Sequence, residues 1–275
     1  MITFYATLAD ARLAARATTT SDDDILIRNL RAVSQRVDLL MGKPSFFAPV
    51  FATRRYAISP LRLSSLKNTL ILPDHVLELV EVKVDDEDIT GDVSLYSDAP
   101  SNELKLDKSR AWRELLGDEY PMFCEIRAWF GYVSDYPRAW ETIDTLNVAL
   151  SATTTVFAIA EAATVNPRTQ VANVSPGALL RVDDECMHVV SVTGASVRVL
   201  RGVNGTTAAP HAIGASIKLF HPDFVLRDVV ARQAAFKYAR RGAYENAQIT
   251  DLTTTQYPPD LLQELRGVLS AYAYR

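Results

Sequence analysis

Leu26, Leu30, Val33, Val37 and Leu40 follow one another at alternating intervals of four and three residues. That spacing puts all five on one face of a helix over 22–41. The period returns near the other end of the chain. Over 223–241, Val225, Val229, Phe236 and Ala239 share a face; over 259–272, Leu261, Leu265, Val268 and Tyr272 line up. A shorter helix is predicted from a Thr7 cap to Ala17, with Asp10 complementing its positive end. Ser21 or Asp22 caps the second helix, and Asp24 and Arg28 form an i,i+4 pair in the favourable orientation. A helix with a single apolar stripe is not stable alone in water and must bury that stripe. The terminal helices are therefore expected to pack on one another.

Between them the period changes. From 45 to 140, short β-branched and aromatic runs alternate with turn residues: strands are predicted over 46–58 (interrupted by Pro49), 69–72, 76–84, 93–96 and 124–133. Asp85-Asp86-Glu87-Asp88 and Thr90-Gly91-Asp92 read as turns. A second β region over 141–220 holds strands at 156–160, 178–183, 185–192, 196–201 and 215–220. Thr193-Gly194-Ala195 makes a short hairpin loop, and Asn204-Gly205 a sharp turn. Turns every 8–12 residues in this region suggest a small barrel or sandwich.

The expected fold class is α+β: terminal helices forming a small helical bundle, with a large β-rich insertion made of two small β units. Residues 1–43 and 222–275 would be the helical core, 44–140 the first insertion and 141–221 a small barrel or sandwich module. The predicted bundle core is Leu26, Leu30, Val33, Val37, Leu40, Val225, Val229 and Phe236. The polar stretch 250–256 reads as a linker, and Pro258-Pro259-Asp260 starts the last helix.

Composition narrows the function. The chain has 275 residues, room for two or three modest domains. Its net charge of −4 gives no basic surplus for gripping phosphate, so tight nucleic-acid binding is not expected. The two cysteines, Cys124 and Cys186, read as buried thiols more than as a disulfide. No signal peptide is seen at the N-terminus. The weakly polar stretch 148–165 is too polar to span a bilayer.

Candidate chemistry is sparse. Asp184, Cys186 and His188, at i, i+2 and i+4, would share one face of a strand, where an acid, a thiol and an imidazole suit a metal or a nucleophile pair. An ordinary half-buried strand explains them as well. The acidic run 85–88 has the oxygen ligands calcium prefers but lacks an EF-hand pattern. Arg54-Arg55 and Arg240-Arg241 are adjacent pairs able to meet phosphate or carboxylates, or simply to be solvated. Gly202-Val203-Asn204-Gly205 has no following Lys-Ser/Thr and reads as a turn. His75, His211 and His221 stand alone. No catalytic residue, metal or cofactor is assigned, and no enzyme activity is expected.

Two segments carry a resemblance. Tyr5-Ala6-Thr7-Leu8-Ala9-Asp10, a Thr/Ser/Asp break, and Asp24-Ile25-Leu26 opening an amphipathic helix resemble the start of head-tail adaptor (connector) proteins of tailed bacteriophages; the Pro-Pro-Asp start and the tail of Tyr272, Tyr274 and Arg275 resemble their closing helix. The segment 177–183, with Val199-Leu200-Arg201-Gly202-Val203-Asn204-Gly205-Thr206-Thr207-Ala208-Ala209-Pro210-His211, resembles a β module that recurs in phage virion proteins. Simple adaptors are nearly all helix, and the insertion at 44–221 departs from them. The resemblance implies a structural virion protein: a ring of about twelve copies between the portal and the tail-completion, stopper or tail-terminator protein, extending a channel that DNA passes without specific binding. It implies assembly in the host bacterial cytoplasm and no membrane partner. The last helix, through Leu261, Leu265, Val268, Tyr272, Tyr274 and Arg275, would dock on the portal. The alternatives are a sugar-binding or adhesion component of a phage tail or fibre, and a hydrolase using Cys186 and His188.

Overall fold

The computed structural model describes residues 3–43, 45–58, 68–96, 100–106, 122–160, 162, 174–240 and 262–273. The expected fold class is corrected at once. Two six-stranded antiparallel sheets dominate, with only about 27% helix, so among the described residues this is a mostly β protein and not a helical bundle with a β insertion. Helical period is visible within a few turns of sequence, whereas the size of a sheet depends on pairings between distant residues. The strands at 101–106, whose apolar alternation is confined to Leu104 and Leu106, and at 140–145, along with the two-residue strand Glu87–Asp88 inside a predicted turn, are not among the predicted ones. The chain divides into two compact units. One comprises Met1–Pro44, Trp140–Val203 and Thr207–Arg275; the other comprises Ser45–Ala139 and Asn204–Thr206.

The second unit is one sheet and its connections. Its strands are β1 (Val50–Ile58), β2 (Thr69–Val84), β3 (Glu87–Asp88), β4 (Val93–Leu95), β5 (Ser101–Leu106) and β6 (Met122–Phe130), in the order β1-β6-β2-β5-β4 with β3 on β2. Where two strands were expected at 69–72 and 76–84, one long strand runs through Pro73. The ladder to β5 slips between Ile71 and Val76. Proline has no N–H to give a ladder, so it sits where pairing is already irregular. Tyr56, Ile58, Leu70, Val82, Ile126 and Phe130 belong to the buried side of this sheet. Its other side carries the Phe51 and Trp129 rings, 5.2 Å apart, with Arg127 over Phe51 and Arg55 over Phe123. Residues 204–206 complete this unit: the Phe51 N–H donates to the Asn204 carbonyl (2.8 Å), and Asn204 Nδ2 donates to the Pro49 carbonyl (2.9 Å).

The first unit holds the other sheet and the terminal helices. Strands β7 (Trp140–Thr145), β8 (Val156–Ala158), β9 (Leu179–Val182), β10 (Glu185–Thr193), β11 (Ser196–Val203) and β12 (Ser216–Phe220) pair in the order β7-β12-β9-β10-β11-β8. The core of this sheet includes Leu180, Val182, Met187, Val189, Val197, Val199, Ile217 and Leu219. The two outermost strands are linked, since the Ala160 N–H just past β8 donates to Asp144 of β7 at 2.6 Å.

Helices α1 (Leu8–Ala15), α2 (Asp23–Met41), α3 (Phe224–Ala239) and α4 (Leu262–Ala273) pack within this unit, α1, α2 and α3 mutually and α4 on α2 and α3. Thr7 and Asp10 form a reciprocal capping box, worth about 1 kcal/mol. Asp10 also takes two bonds from Arg227 of α3, at 2.7 and 2.8 Å. Burial works to raise the Asp10 pKa, but the bonds from Arg227 and Thr7 outweigh it and hold the carboxyl below its usual range. Asp22 flanks α2 without a side-chain cap, and its carboxylate instead accepts from Tyr238 Oη at 2.5 Å. Arg28 bonds the Asp24 carbonyl and not its carboxylate.

The segment before α1 is buried. The Tyr5 N–H donates to Ser34 Oγ, and Tyr5 Oη donates to Asp38 at 2.5 Å. The Phe4 N–H donates to the Gly177 carbonyl (3.2 Å). Gly177 has φ +87°, and a Cβ there would lie 2.1 Å from the Phe4 ring.

Gly205 is under the tightest constraint. Its φ is +81°, and a Cβ would sit 1.8 Å from the Phe51 carbonyl oxygen, a backbone atom that no side-chain rotation can move aside. Gly205→Ala is expected to lower the melting temperature by about 5 °C or more. Gly194→Ala, at a turn with open space around the same atom, should cost clearly less. Calorimetry on the two variants checks this, and equal losses would show that Gly205 is not held by this contact.

Candidate functional site

The sheet of the first unit encloses a cluster of charge. On β10 the inward positions are Glu185, Met187 and Val189; on the neighbouring β11 they are Val197, Val199 and Arg201. Strand alternation thus turns one acid and one base toward the same interior. The Glu185 side chain is 1% exposed and that of Arg201 5%. They meet as a bidentate pair, Arg201 Nε to Glu185 Oε1 at 2.6 Å and Arg201 Nη2 to Oε2 at 2.7 Å.

Every remaining donor of the guanidinium is used. Nη1 donates to the carbonyls of Ser151 (3.0 Å) and Thr154 (2.8 Å), and Nη2 to that of Ala209 (2.5 Å). With five N–H groups, Arg201 is saturated. Glu185 is equally full. It accepts the Gly202 N–H (2.9 Å), the Ala209 N–H (2.9 Å) and a contact from His211 Nε2 at 3.0 Å. The other ring nitrogen of His211 lies 2.7 Å from Asp183 Oδ2. Burial pushes the Glu185 pKa up, but Arg201, the two backbone N–H groups and His211 outweigh it, and the carboxyl is held below its usual range.

This arrangement binds loops and offers no free valence for a substrate. The pair ties the arc after β7 (Ser151, Thr154), the end of β11 (Gly202) and the arc that follows it (Ala209, His211) to the middle of the sheet. Backbone bonds extend the tie: Leu150 and His211 exchange N–H···O bonds at 2.9 Å, and the Gly214 N–H donates to the Leu146 carbonyl at 2.7 Å.

Among the candidate chemical groups read from the sequence, only His211 belongs to this cluster, and it reads there as solitary; Glu185, Arg201 and Asp183 are not among them. The missed signal was present: a glutamate and an arginine stand at inward positions of two otherwise apolar alternating strands.

The triplet Asp184, Cys186 and His188 does not converge. Asp184 is not on the strand; it lies in the two-residue turn between β9 and β10, exposed and paired with Arg181 at 3.1 Å. Cys186 and His188 are buried, and the ladder to β11 slips between them. Burial pushes the Cys186 thiol up to about 12, which keeps it protonated and a poor nucleophile. Cys124 is likewise buried and pushed up to about 12; both cysteines are free thiols. His188 Nε2 hydrogen-bonds Thr3 Oγ1 at 2.9 Å, while its Nδ1 is buried without a hydrogen-bond partner.

The other candidates have local roles. The acidic run is the turn from β2 to β3, with Asp85 and Asp86 at positive φ, and Asp88 accepts from Thr90. Arg54 pairs with Asp74 at 3.0 Å and lies over Phe130. Arg240 lies over Phe236; Arg241 falls outside the described residues. His75 stacks edge-on with Phe46 and Tyr132, and His221 meets Glu141 at 2.7 Å. Among the described residues no group of three His, Cys, Asp or Glu is placed to hold a metal, and no helix is long and apolar enough to cross a membrane.

Of the predicted bundle core, Leu26, Leu30, Val33, Val37 and Val229 are buried and Phe236 is half-buried. Leu40 is 37% exposed and Val225 52% exposed, because each lies at a helix end where the stripe has rotated past its neighbours. Of the predicted docking helix, Val268 and Tyr272 are half-buried and the intervening Leu269 is buried. Leu261, Tyr274 and Arg275, and the side chain of Leu265, fall outside the described residues. No protein-family model matches the chain, and no curated protein matches it.

Two outcomes are expected. Glu185→Ala leaves the Arg201 charge buried and unpaired and should destabilise by about 3–5 kcal/mol in chemical denaturation. Adding Arg201→Met to it should cost far less than the sum of the single changes. The second concerns acid. Burial depresses the His188 pKa from 6.5 to about 4. The unfolded chain then binds the extra proton between those values, so stability falls as pH drops from about 6.5 toward 4 and is fully kept above that window. The loss attributable to this group is about 3 kcal/mol. In His188→Gln, unfolding measured between pH 7 and 4.5 should show a shallower slope; an unchanged slope would assign the acid loss to other groups.

Proposed function

We propose that the chain is a structural protein of a tailed-phage virion, a head-tail adaptor that assembles as a ring, of about twelve copies, between the portal and the tail-completion proteins. What carries this reading is the job done by the residues that bear the resemblance. Tyr5, Thr7 and Asp10 of the opening segment bond α2, cap α1 and grip α3. Arg201, Gly202, Ala209 and His211 of the β module make the buried clasp with Glu185. Both sets build framework and leave their chemistry internally satisfied, which suits a protein whose work is done by surfaces. The net charge of −4 suits a channel that DNA passes without sticking.

In this proposal the portal contact includes α4. That helix packs on α2 and α3 of its own chain, with Leu269 buried, so deleting it would disturb the bundle as well as the contact. A point change separates the two. Tyr272→Ala is expected to weaken retention on immobilised portal rings about tenfold while leaving the circular-dichroism spectrum unchanged. Electron microscopy of the wild-type complex should show added density with the portal's symmetry. A trimer that ignores portal rings would instead support the tail-fibre alternative.

A further inference from the structure

Strand β1 ends its sheet, with β6 on one side and, among the described residues, no strand on the other. The Phe51 N–H, which donates to Asn204, points away from β6. The ladder from Val50 to Ile58 runs without a bulge, so the N–H and C=O groups of Thr53, Arg55 and Ala57 point the same way. Among the described residues no hydrogen bond fills these outward groups, and all three residues are exposed. Proteins commonly blunt such an edge by keeping it short, by a proline or a bulge, or by covering it. The opposite edge of the same sheet, β4, is three residues long. In the first unit's sheet, the end strands are joined through Asp144 and Ala160. By contrast, β1 has nine residues and no proline, and Asn204 occupies its first outward N–H alone.

We propose that the free edge of β1 receives an extended segment of a partner protein, added as an antiparallel strand with a carboxylate opposite Arg55. An edge offers a donor and an acceptor on every second residue, a spacing that extended backbone matches. The charge of the partner follows from Arg55. Its guanidinium lies 4.0 Å from the centre of the Phe123 ring and makes no ion pair among the described residues, although Glu125 stands across the ladder. Arg127, exposed and across from Thr53, adds positive charge on the same side of the sheet. Arg54 faces the other side and is already held by Asp74 at 3.0 Å. Opposite charges facing one another across strands stabilise pairing, and like charges weaken it. A second copy of β1 fits poorly for this reason, because the two-fold register that uses all three free positions sets Arg55 directly against Arg55. The proposal does not depend on portal binding.

NMR titration of the full chain with two capped peptides tests it, one Thr-Val-Glu-Val-Thr and the other with Lys in place of Glu. The glutamate peptide should shift the amide signals of Thr53, Arg55 and Ala57 with a Kd of about 1 mM, and the lysine peptide should bind about fivefold more weakly. Arg55→Glu should reverse that preference. Thr53→Pro removes one outward N–H and leaves the ladder to β6 in place, so it should weaken the glutamate peptide about threefold or more. Thr53→Val keeps the N–H and should bind as the wild type does. Amide signals on β1 that do not move, equal affinity for the two peptides, or binding indifferent to both Thr53→Pro and Arg55→Glu would each overturn the proposal.

Discussion

The pairing of Glu185 with Arg201 is the interaction on which the first unit's sheet depends. Taking two charges out of water is costly, and a buried pair returns that cost only if its geometry is close and every other hydrogen-bonding site is filled. Here both conditions hold: two parallel bonds join the pair, and all five guanidinium donors are used. The constraint also runs outward. A saturated arginine that must bond the carbonyls of Ser151, Thr154 and Ala209 fixes where those loops lie. A hydrophobic pair of similar volume could fill the same space but could not position backbone.

The helical part of that unit follows a similar rule. Tyr5, Asp10, Asp22 and Arg227 are polar residues placed between elements. The bonds by which they join one element to another span large separations in sequence, from Tyr5 to Asp38 and from Asp10 to Arg227. The apolar stripe of α2 provides the burial, and these bonds select which helix it meets and at what register. The Thr3–His188 contact extends the pattern, since it pins the start of the chain onto β10. A chain built this way resists local opening, because its opening segment, its central sheet and its later helices are tied together.

The sequence by itself determined the helices and most strands. The stripe Leu26–Leu30–Val33–Val37, the αL glycine Gly42 that ends α2, and the turns at Gly194 and Asn204-Gly205 are local features, written within a few residues by period and backbone preference. It also held half of the clasp, as a glutamate and an arginine on inward strand positions. What it could not supply was their partnership. Alternation says which face a residue takes but not which strand lies beside it, so Glu185, Arg201 and His211 read as unrelated. Only the tertiary structure decided that β10 and β11 are neighbours, that Asp184 sits in a turn apart from Cys186 and His188, and that the strands assemble into two six-stranded sheets large enough to make the protein mostly β. Sheet extent and ion pairing are set by contacts between residues far apart in the chain, and the free energy of those contacts is not a property of any single stretch of sequence.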